Sequence, residues 1–334
     1  MKRNTFINNM NHNYQKQQEI KVFVHLSKHL SIIILLLIIG LHAKAQTVIF
    51  TPQWDPQTQF AGYYVAAYNG FFKSEGLNVE IIHPARSENA YSYLKSGKSQ
   101  FITLTLSQAL DFRLHGADLV NIMQTGQVNS QILIGHCPLP NIAALQNKTI
   151  GVWSDLNIDL IKALMQKYKL KAKIVRFNSG VNLFLSKAVD VCIVSSYNEF
   201  LQLSECGYHI DPNNVMWLSD WGYNMPGDGL YTLRSYYEKH KDIVQKFVAA
   251  SKKGWLYAAS HHNQAIDITM KYVRANHVAT NIYHQTKMLQ EVLRLQISKN
   301  TGKRTFVLSR PSFDAAMNFI SSKALKYSDF VPTL

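Results

Sequence analysis

The chain has 334 residues, a formal net charge of +14 and three cysteines. That length allows two lobes of about 100–200 residues each. Positive residues are scattered over predicted helix surfaces, as at Lys162 and Lys167, without the clustering that nucleic-acid binding requires. The odd number and the spacing of the cysteines favour neither a disulfide framework nor a metal site.

The first 45 residues have the pattern of a secretory signal. Lys28 precedes an apolar run over 32–39, and an A-x-A site follows at 43–45. The run is too short to span a bilayer, which needs about 20 residues. We therefore predict a signal peptide over 1–45, cleavage before Gln46 and a periplasmic protein, with an uncleaved membrane anchor as the alternative. The mature charge would be +9, since six of the 35 Lys+Arg and one of the 21 Asp+Glu lie in the leader.

The mature chain opens with a predicted β-α-β unit. A strand at 47–51 and an alternating strand at 77–81 flank a helix. The helix carries apolar residues at helical spacing, namely Phe60, Tyr63, Tyr64, Ala67 and Phe71. A strand over 101–105, a helix capped by Ser107 and a strand over 119–123 complete this first series.

A second β-α series follows between two predicted crossing segments, 131–135 and 229–233. Its predicted strands are 148–153, 173–177, 189–194 and 215–218, and its helices are 142–145, 159–168, 181–187 and 198–206. Beyond the second crossing the chain is mainly helical and begins with a predicted capping box at 235–238. Two such series predict an α/β protein of two lobes with a ligand cleft between them. The predicted divisions are 46–130 for the first part of lobe 1, 131–228 for lobe 2 and 229–334 for the second part of lobe 1.

Candidate site residues follow the predicted strands, because ligands of open α/β sheets bind beyond the carboxyl ends of the strands. Several of these residues are aromatic or polar, namely Trp54, Ser107, Trp153, Tyr197, Asn198 and Glu199. Asp220 and Asp228 frame a Gly/Pro-rich loop further on, where turn formation is the ordinary use of Asp. Tyr63 is a candidate on the opening helix, with burial in the core as its alternative.

The opening segment, FAGYYVAAYNGFFKSEGLNVEI, resembles the N-terminal signature of type II periplasmic solute-binding proteins that serve ABC importers. Similar motifs recur in family order along the mature chain, namely SGKSQFIT, LQNKTIGVW, VDVCIVSSYNEFLQLSECGY, SDWGYNMPGDGLYT and FVAASKKGWLYAA. The resemblance implies the two-lobed type II fold. Within the family the chain is most similar to binders of thiamine pyrimidine precursors and less so to alkylsulfonate and nitrate binders.

The resemblance implies a planar aminopyrimidine ligand, of the formylaminopyrimidine or hydroxymethylpyrimidine type. Such a ring needs aromatic surfaces for stacking and hydrogen-bonding groups in its plane. We expect stacking on Trp54, Tyr63, Trp153 and Tyr197. We expect Glu199 to accept the amino hydrogen, with capping of its own helix as the alternative. The complete predicted site is Trp54, Tyr63, Ser107, Trp153, Tyr197, Asn198, Glu199, Asp220 and Asp228.

An enzymatic role is not expected. The eukaryotic hydroxymethylpyrimidine phosphate synthase, which shares the resemblance, uses a Lys that holds pyridoxal phosphate and a His of its own chain. Alignment on SGK places Leu104 and Gln108 at those positions, so this chain has neither the lysine amine nor the histidine imidazole that the reaction needs there. The sequence also lacks a P-loop, a G-x-G-x-x-G motif and a G-x-S-x-G elbow.

We therefore predict a monomeric binding protein without a cofactor, a metal or a nucleic-acid partner. Its partners would be a small-molecule ligand and an ABC permease, and the lobes would close by bending at the two crossings. The alternatives are the ligand-sensing component of a signalling system and a binder of an alkylsulfonate-type solute.

Overall fold

A computed structural model describes residues 46–85, 88–153, 155–177, 180–320 and 325–333. The predicted signal peptide lies outside these residues. From Thr47 onward the chain forms one unit built around two five-stranded sheets. No helix within the described ranges is both long and apolar enough to cross a bilayer.

The first sheet has the strand order β2-β1-β3-β10-β4. Its strands are β1 (Gln46–Thr51), β2 (Leu77–Ile81), β3 (Phe101–Leu104), β4 (Leu119–Gln124) and β10 (Gly229–Leu233). Strands β1 and β3 are parallel, whereas β10 is antiparallel to both of its neighbours, β3 and β4. The strand that follows the whole second series therefore returns to the middle of the first sheet.

The second sheet has the order β7-β6-β8-β5-β9. Its strands are β5 (Gln131–Gly135), β6 (Thr149–Val152), β7 (Lys173–Arg176), β8 (Val191–Ser195) and β9 (Val215–Trp217). Strand β6 is parallel to β7 and β8, and β5 is antiparallel to β8 and β9. The two sheets thus have the same pattern, with one antiparallel strand in an interior position.

The prediction that 131–135 and 229–233 are crossing segments was wrong. Both are the interior antiparallel strands, β5 and β10, with hydrogen-bonded neighbours on each side. The chain passes between the sheets just before each strand, through 125–130 and through 218–228. A strand that is paired on both sides resists bending, so we now expect the predicted hinge motion in these two connectors. The exact lobe boundaries stay a prediction.

The helices mostly follow the predicted pattern. They are α1 (Ala61–Tyr68), α2 (Phe71–Ser74), α3 (Ala90–Lys95), α4 (Leu106–Leu114), α5 (Asp155–Tyr168), α6 (Asn182–Leu185), α7 (Glu199–Glu205), α8 (Arg234–Lys239), α9 (Lys241–Ser260), α10 (His262–Ala275), α11 (Ile282–Leu295), α12 (Arg310–Phe319) and α13 (Tyr327–Phe330). The segment 142–145 is a 3₁₀ turn.

Two predicted helix caps were wrong. Helix α4 is capped by Thr105 in a capping box with Gln108, and Ser107 lies inside its first turn. Helix α8 begins at Arg234 after Leu233, so the predicted box at 235–238 lies within the helix. Each helix begins two residues earlier than predicted, so the predicted cap, Ser107 or Ser235, lies inside the helix.

Helix α1 packs closely against α9 beside the first sheet. A Cβ on Gly254 would lie 2.1 Å from the carbonyl oxygen of Gly62, and a Cβ on Gly62 would overlap the Trp255 ring. The two glycines therefore let the helix backbones approach and seat the indole of Trp255 in the core. Tyr63 lies beside it, with ring centroids 5.8 Å apart.

Candidate ligand-binding site

A recess lies where the two connectors meet Tyr197 and helices α9 and α11. Its volume is about 10 Å³, room for roughly one water molecule, so the recess is narrow in this structure. The residues that line it, which we call the recess residues, are Thr125, Gly126, Val128, Ser130, Tyr197, Gly227, Asp228, Trp255, Val292, Leu295 and Gln296. A pocket at the junction of two lobes is a common place for a small ligand.

The two connectors run side by side at the recess. The side-chain amide of Gln124 donates to the carbonyl oxygen of Gly227 at 2.7 Å. The backbone N–H of Thr125 donates to the backbone carbonyl oxygen of Asp228 at 3.3 Å. A Cβ on Gly126 would lie 2.4 Å from that same Gly227 oxygen. Only glycine at position 126 leaves room for this contact.

Asp228 presents a carboxyl group in the recess. Its backbone is left-handed, with φ of 58°, a conformation that Asp tolerates better than most residues. The side chains of Gln53 and Gln59 donate to its Oδ1 at 3.0 and 2.7 Å, and among the described residues its side chain accepts no bond at Oδ2. Burial raises the pKa of Asp228 to about 7. The group can therefore hold a proton near neutral pH.

Two tyrosines lie near this carboxyl. Burial, and then the charge of Asp228, raise the pKa of Tyr197 well above its ordinary value, and they raise the pKa of Tyr63 in the same way. Tyr197 lines the recess, whereas Tyr63 is buried between Phe50 and Trp255. The Tyr63 hydroxyl and the Trp255 Nε1 have no hydrogen-bond partner in the described part of the chain. Both are polar atoms at the inner side of the site.

Trp54 and Trp153 meet where the two sheets approach each other. Their rings are nearly perpendicular, with centroids 5.7 Å apart. The ring of His83 holds the Trp54 backbone, because its Nδ1 donates to the Trp54 carbonyl at 2.5 Å. Burial lowers the pKa of His83 to about 4, so this imidazole is neutral at neutral pH. Trp54 follows Gln53, which bonds to Asp228, and the tryptophan pair therefore lies at the same end of the sheets as the recess.

Glu199 is buried and its carboxylate bonds to its own loop. Its Oε2 accepts from the backbone N–H of Ser195 at 2.9 Å, and its Oε1 accepts from Asn198 Nδ2 at 2.9 Å. Burial raises its pKa, and these hydrogen bonds oppose that rise. The carboxylate thus fixes the turn that carries Tyr197. A direct contact of Glu199 or Asn198 with a ligand stays a prediction.

Ser107 and Asp220 lie outside the set of recess residues. Ser107 hydrogen-bonds to the Thr105 hydroxyl at 3.1 Å, and Asp220 forms an exposed ion pair with Lys299 at 2.6 Å. Their site roles also stay predictions.

Sequence reasoning missed several polar groups of the site, namely Gln53, Gln59, Thr125, Trp255 and Gln296. Trp255 stands in FVAASKKGWLYAA and Gln59 directly precedes FAGYYVAAYNGFFKSEGLNVEI, and these segments of the family resemblance were the available signal. Gln53 follows β1, Thr125 lies in a connector and Gln296 follows α11, and no local pattern encodes that these three come together.

Comparison with known proteins agrees with this architecture. A family model described as "NMT1/THI5 like" matches residues 57–265. The riboflavin-binding protein RibY of Chloroflexus aurantiacus is 25% identical over 262 residues, which cover 74% of this chain and 72% of that protein. A formylaminopyrimidine-binding protein of Halalkalibacterium halodurans is 22% identical over 239 residues, or 67% and 70% of the two chains.

A solved structure shows the same fold. The periplasmic aliphatic sulphonate-binding protein SsuA of Escherichia coli has a TM-score of 0.57 at 14% identity, over 73% of this chain and 83% of that one. The predicted periplasmic binding protein fold and the predicted family resemblance are both confirmed. The chain therefore belongs to the NMT1/THI5-like family, as a solute-binding protein and not an enzyme.

Proposed function

We propose that this protein binds a thiamine pyrimidine precursor, of the formylaminopyrimidine or hydroxymethylpyrimidine type, outside the cytoplasm and delivers it to an ABC importer. The observation that carries the proposal is the pair formed by Asp228 and Tyr197 in the recess. An aromatic ring there offers a stacking surface, and a carboxyl group offers an in-plane hydrogen-bonding edge.

The protonation of Asp228 suits an aminopyrimidine. Asp228 Oδ1 already accepts from Gln53 and Gln59, so Oδ2 is the oxygen that could meet a ligand, as an O–H donor when protonated and only as an acceptor when ionised. A 4-aminopyrimidine has a ring-nitrogen acceptor for that O–H. With a pKa of about 7, Asp228 supplies the protonated form over the lower half of the physiological pH range.

A second candidate ligand is a flavin, because the relative that is 25% identical is named a riboflavin-binding protein. Its ring system also stacks and hydrogen-bonds in plane.

Isothermal titration calorimetry of the purified protein tests the proposal. Formylaminopyrimidine, hydroxymethylpyrimidine, riboflavin, taurine and an alkylsulfonate are the ligands to compare. We expect a pyrimidine to bind tightest. Asp228→Ala removes one ligand hydrogen bond worth about 1 kcal/mol, so the affinity should fall about 5-fold. Asp228→Asn keeps a donor in place of the Oδ2 hydroxyl and should retain most of the affinity at pH 7.

The panel also decides between the alternatives. Tight binding of riboflavin would assign the flavin, and tight binding of a sulfonate that Asp228→Ala leaves unchanged would contradict the pyrimidine proposal. A sensing role, the other alternative, predicts a signalling partner and no ligand uptake by cells that carry the importer.

A further inference from the structure

We infer that His284, at the start of helix α11, is a positioning residue that couples closure of the two sheets to the conformation of the ligand site. The expected change in ligand affinity rests on the proposed function. The expected change in the distance between the sheets does not.

The first turn of α11 contacts both halves of the molecule through adjacent residues. Gln285 accepts from the backbone N–H of Thr58 at 2.7 Å, and its carbonyl accepts from the Thr58 hydroxyl at 2.9 Å. Thr58 belongs to the turn that follows β1 of the first sheet. This turn of α11 is therefore fixed to the first-sheet side.

His284 reaches in the other direction, to the second sheet. Its Nδ1 lies 2.9 Å from Glu205 Oε1 and its Nε2 lies 3.0 Å from Asn198 Oδ1, both in or next to helix α7 after β8. The His284 residue is only 5% exposed. Both ring nitrogens thus have an oxygen partner, and both contacts would be lost if the sheets moved apart.

The contact with Asn198 leads directly to the recess. Asn198 follows Tyr197 and bonds through its amide to Glu199, whose other oxygen holds the backbone of Ser195. When His284 engages Asn198, the Tyr197 turn is held from two sides. The contact that joins α11 to Asn198 and the contacts that hold the Tyr197 turn therefore belong to one hydrogen-bonded network.

A second ion pair joins the chain just beyond α11 to the connector 218–228 and serves as a control. Lys299, beyond the end of α11, pairs with Asp220 at 2.6 Å, but both side chains are more than half exposed. Exposed ion pairs contribute little to stability. The buried His284 contacts should therefore dominate the coupling, and Lys299→Gln should have little effect.

Closure can be measured without a ligand. Nitroxide labels at Lys95 in α3 and at Lys171 before β7 would report the distance between the two sheets, in a protein whose exposed Cys137 and Cys206 are changed to Ser. We expect His284→Ala to broaden the ligand-free distance distribution towards a second, more open population. Lys299→Gln should leave the distribution as it is in the parent protein.

Affinity supplies the second readout. His284→Ala and Glu205→Gln should each weaken binding of the pyrimidine that the calorimetry identifies, by about 10-fold, within the usual range of coupling between two sites. The double variant should bind no more weakly than His284→Ala, since that change already removes the contact with Glu205.

An unchanged distance distribution in His284→Ala, with a lowered melting temperature, would reduce His284 to a packing role and overturn the inference. That result would leave the proposed ligand untouched. Conversely, failure of every pyrimidine to bind would contradict the proposed function and not the distance measurement.

Discussion

At the scale of single residues, Asp228 is the group on which our ligand proposal depends. Two glutamine side chains donate to its Oδ1, and its Oδ2 accepts no hydrogen bond from the described residues. The carboxyl group is buried and has no cationic partner among the described residues, which explains why its pKa rises to about 7. The same group in an exposed loop would be ionised at any physiological pH.

This pKa gives a pH dependence for ligand binding. If the protonated carboxyl is the binding form, affinity is highest below pH 7 and falls as the pH rises through the pKa of the free protein, by up to about tenfold per pH unit. Titrations at pH 6, 7, 8 and 9 would measure the fall. Asp228→Asn, which has no proton to lose, should show a flat profile. Affinity of the parent protein that rises with pH would contradict this role.

The two acids of the site show the limit of reading residues alone. Glu199 and Asp228 both stand next to strands in segments that resemble the family, so each was a reasonable acceptor for an amino group. The structure folds the Glu199 carboxylate back onto Ser195 and Asn198 and leaves Asp228 at the recess. Side-chain direction, which the tertiary contacts set, separates the two.

At the scale of elements, helix α4 shows how a cap is selected. Thr105 and Ser107 are both good capping residues, and the sequence prediction chose Ser107. The structure starts the helix at Leu106, because Thr105 bonds to the backbone N–H of Gln108 and the Gln108 side chain bonds back to Thr105. A Gln three residues after the cap was the signal for this box.

The cap has a measurable effect on stability. Thr105→Ala removes the side-chain acceptor of the capping box and should lower the free energy of unfolding by about 1 kcal/mol. Ser107→Ala, inside the first turn, should change it much less. Urea denaturation followed by circular dichroism compares the two variants. Equal losses would mean that the helix starts later than the structure shows.

At the scale of the whole molecule, the two connectors form the junction on which closure depends. They touch at Gly126 and Gly227 and line the recess as well. Any rotation of one sheet against the other must therefore pass through the backbone next to the ligand. If the proposed site and the predicted closure are right, binding and closure share these residues, as in hinge-type binding proteins.

The junction offers a matched pair of variants. A Cβ on Gly126 would lie 2.4 Å from the Gly227 carbonyl oxygen, whereas a Cβ on Gly227 would meet nothing within 4 Å. Gly126→Ala should thus lower the free energy of unfolding by about 1–3 kcal/mol, because the connector must shift. Gly227→Ala should be nearly neutral. Differential scanning calorimetry tests both, and a neutral Gly126→Ala would show that the connectors are further apart.

Local sequence patterns were enough to predict the order and type of most elements and the family resemblance. Alternation along 77–81, the aromatic spacing of the opening helix and the family segments are local patterns, and local patterns survive in the folded chain. It could not place β5 and β10, because a short apolar strand looks the same at a sheet interior and in a crossing. The three-dimensional fold sets these positions, the meeting of Gly126 with Gly227 and the place of Asp228 at the recess. Each depends on contacts between residues far apart in the chain, which no local spacing records.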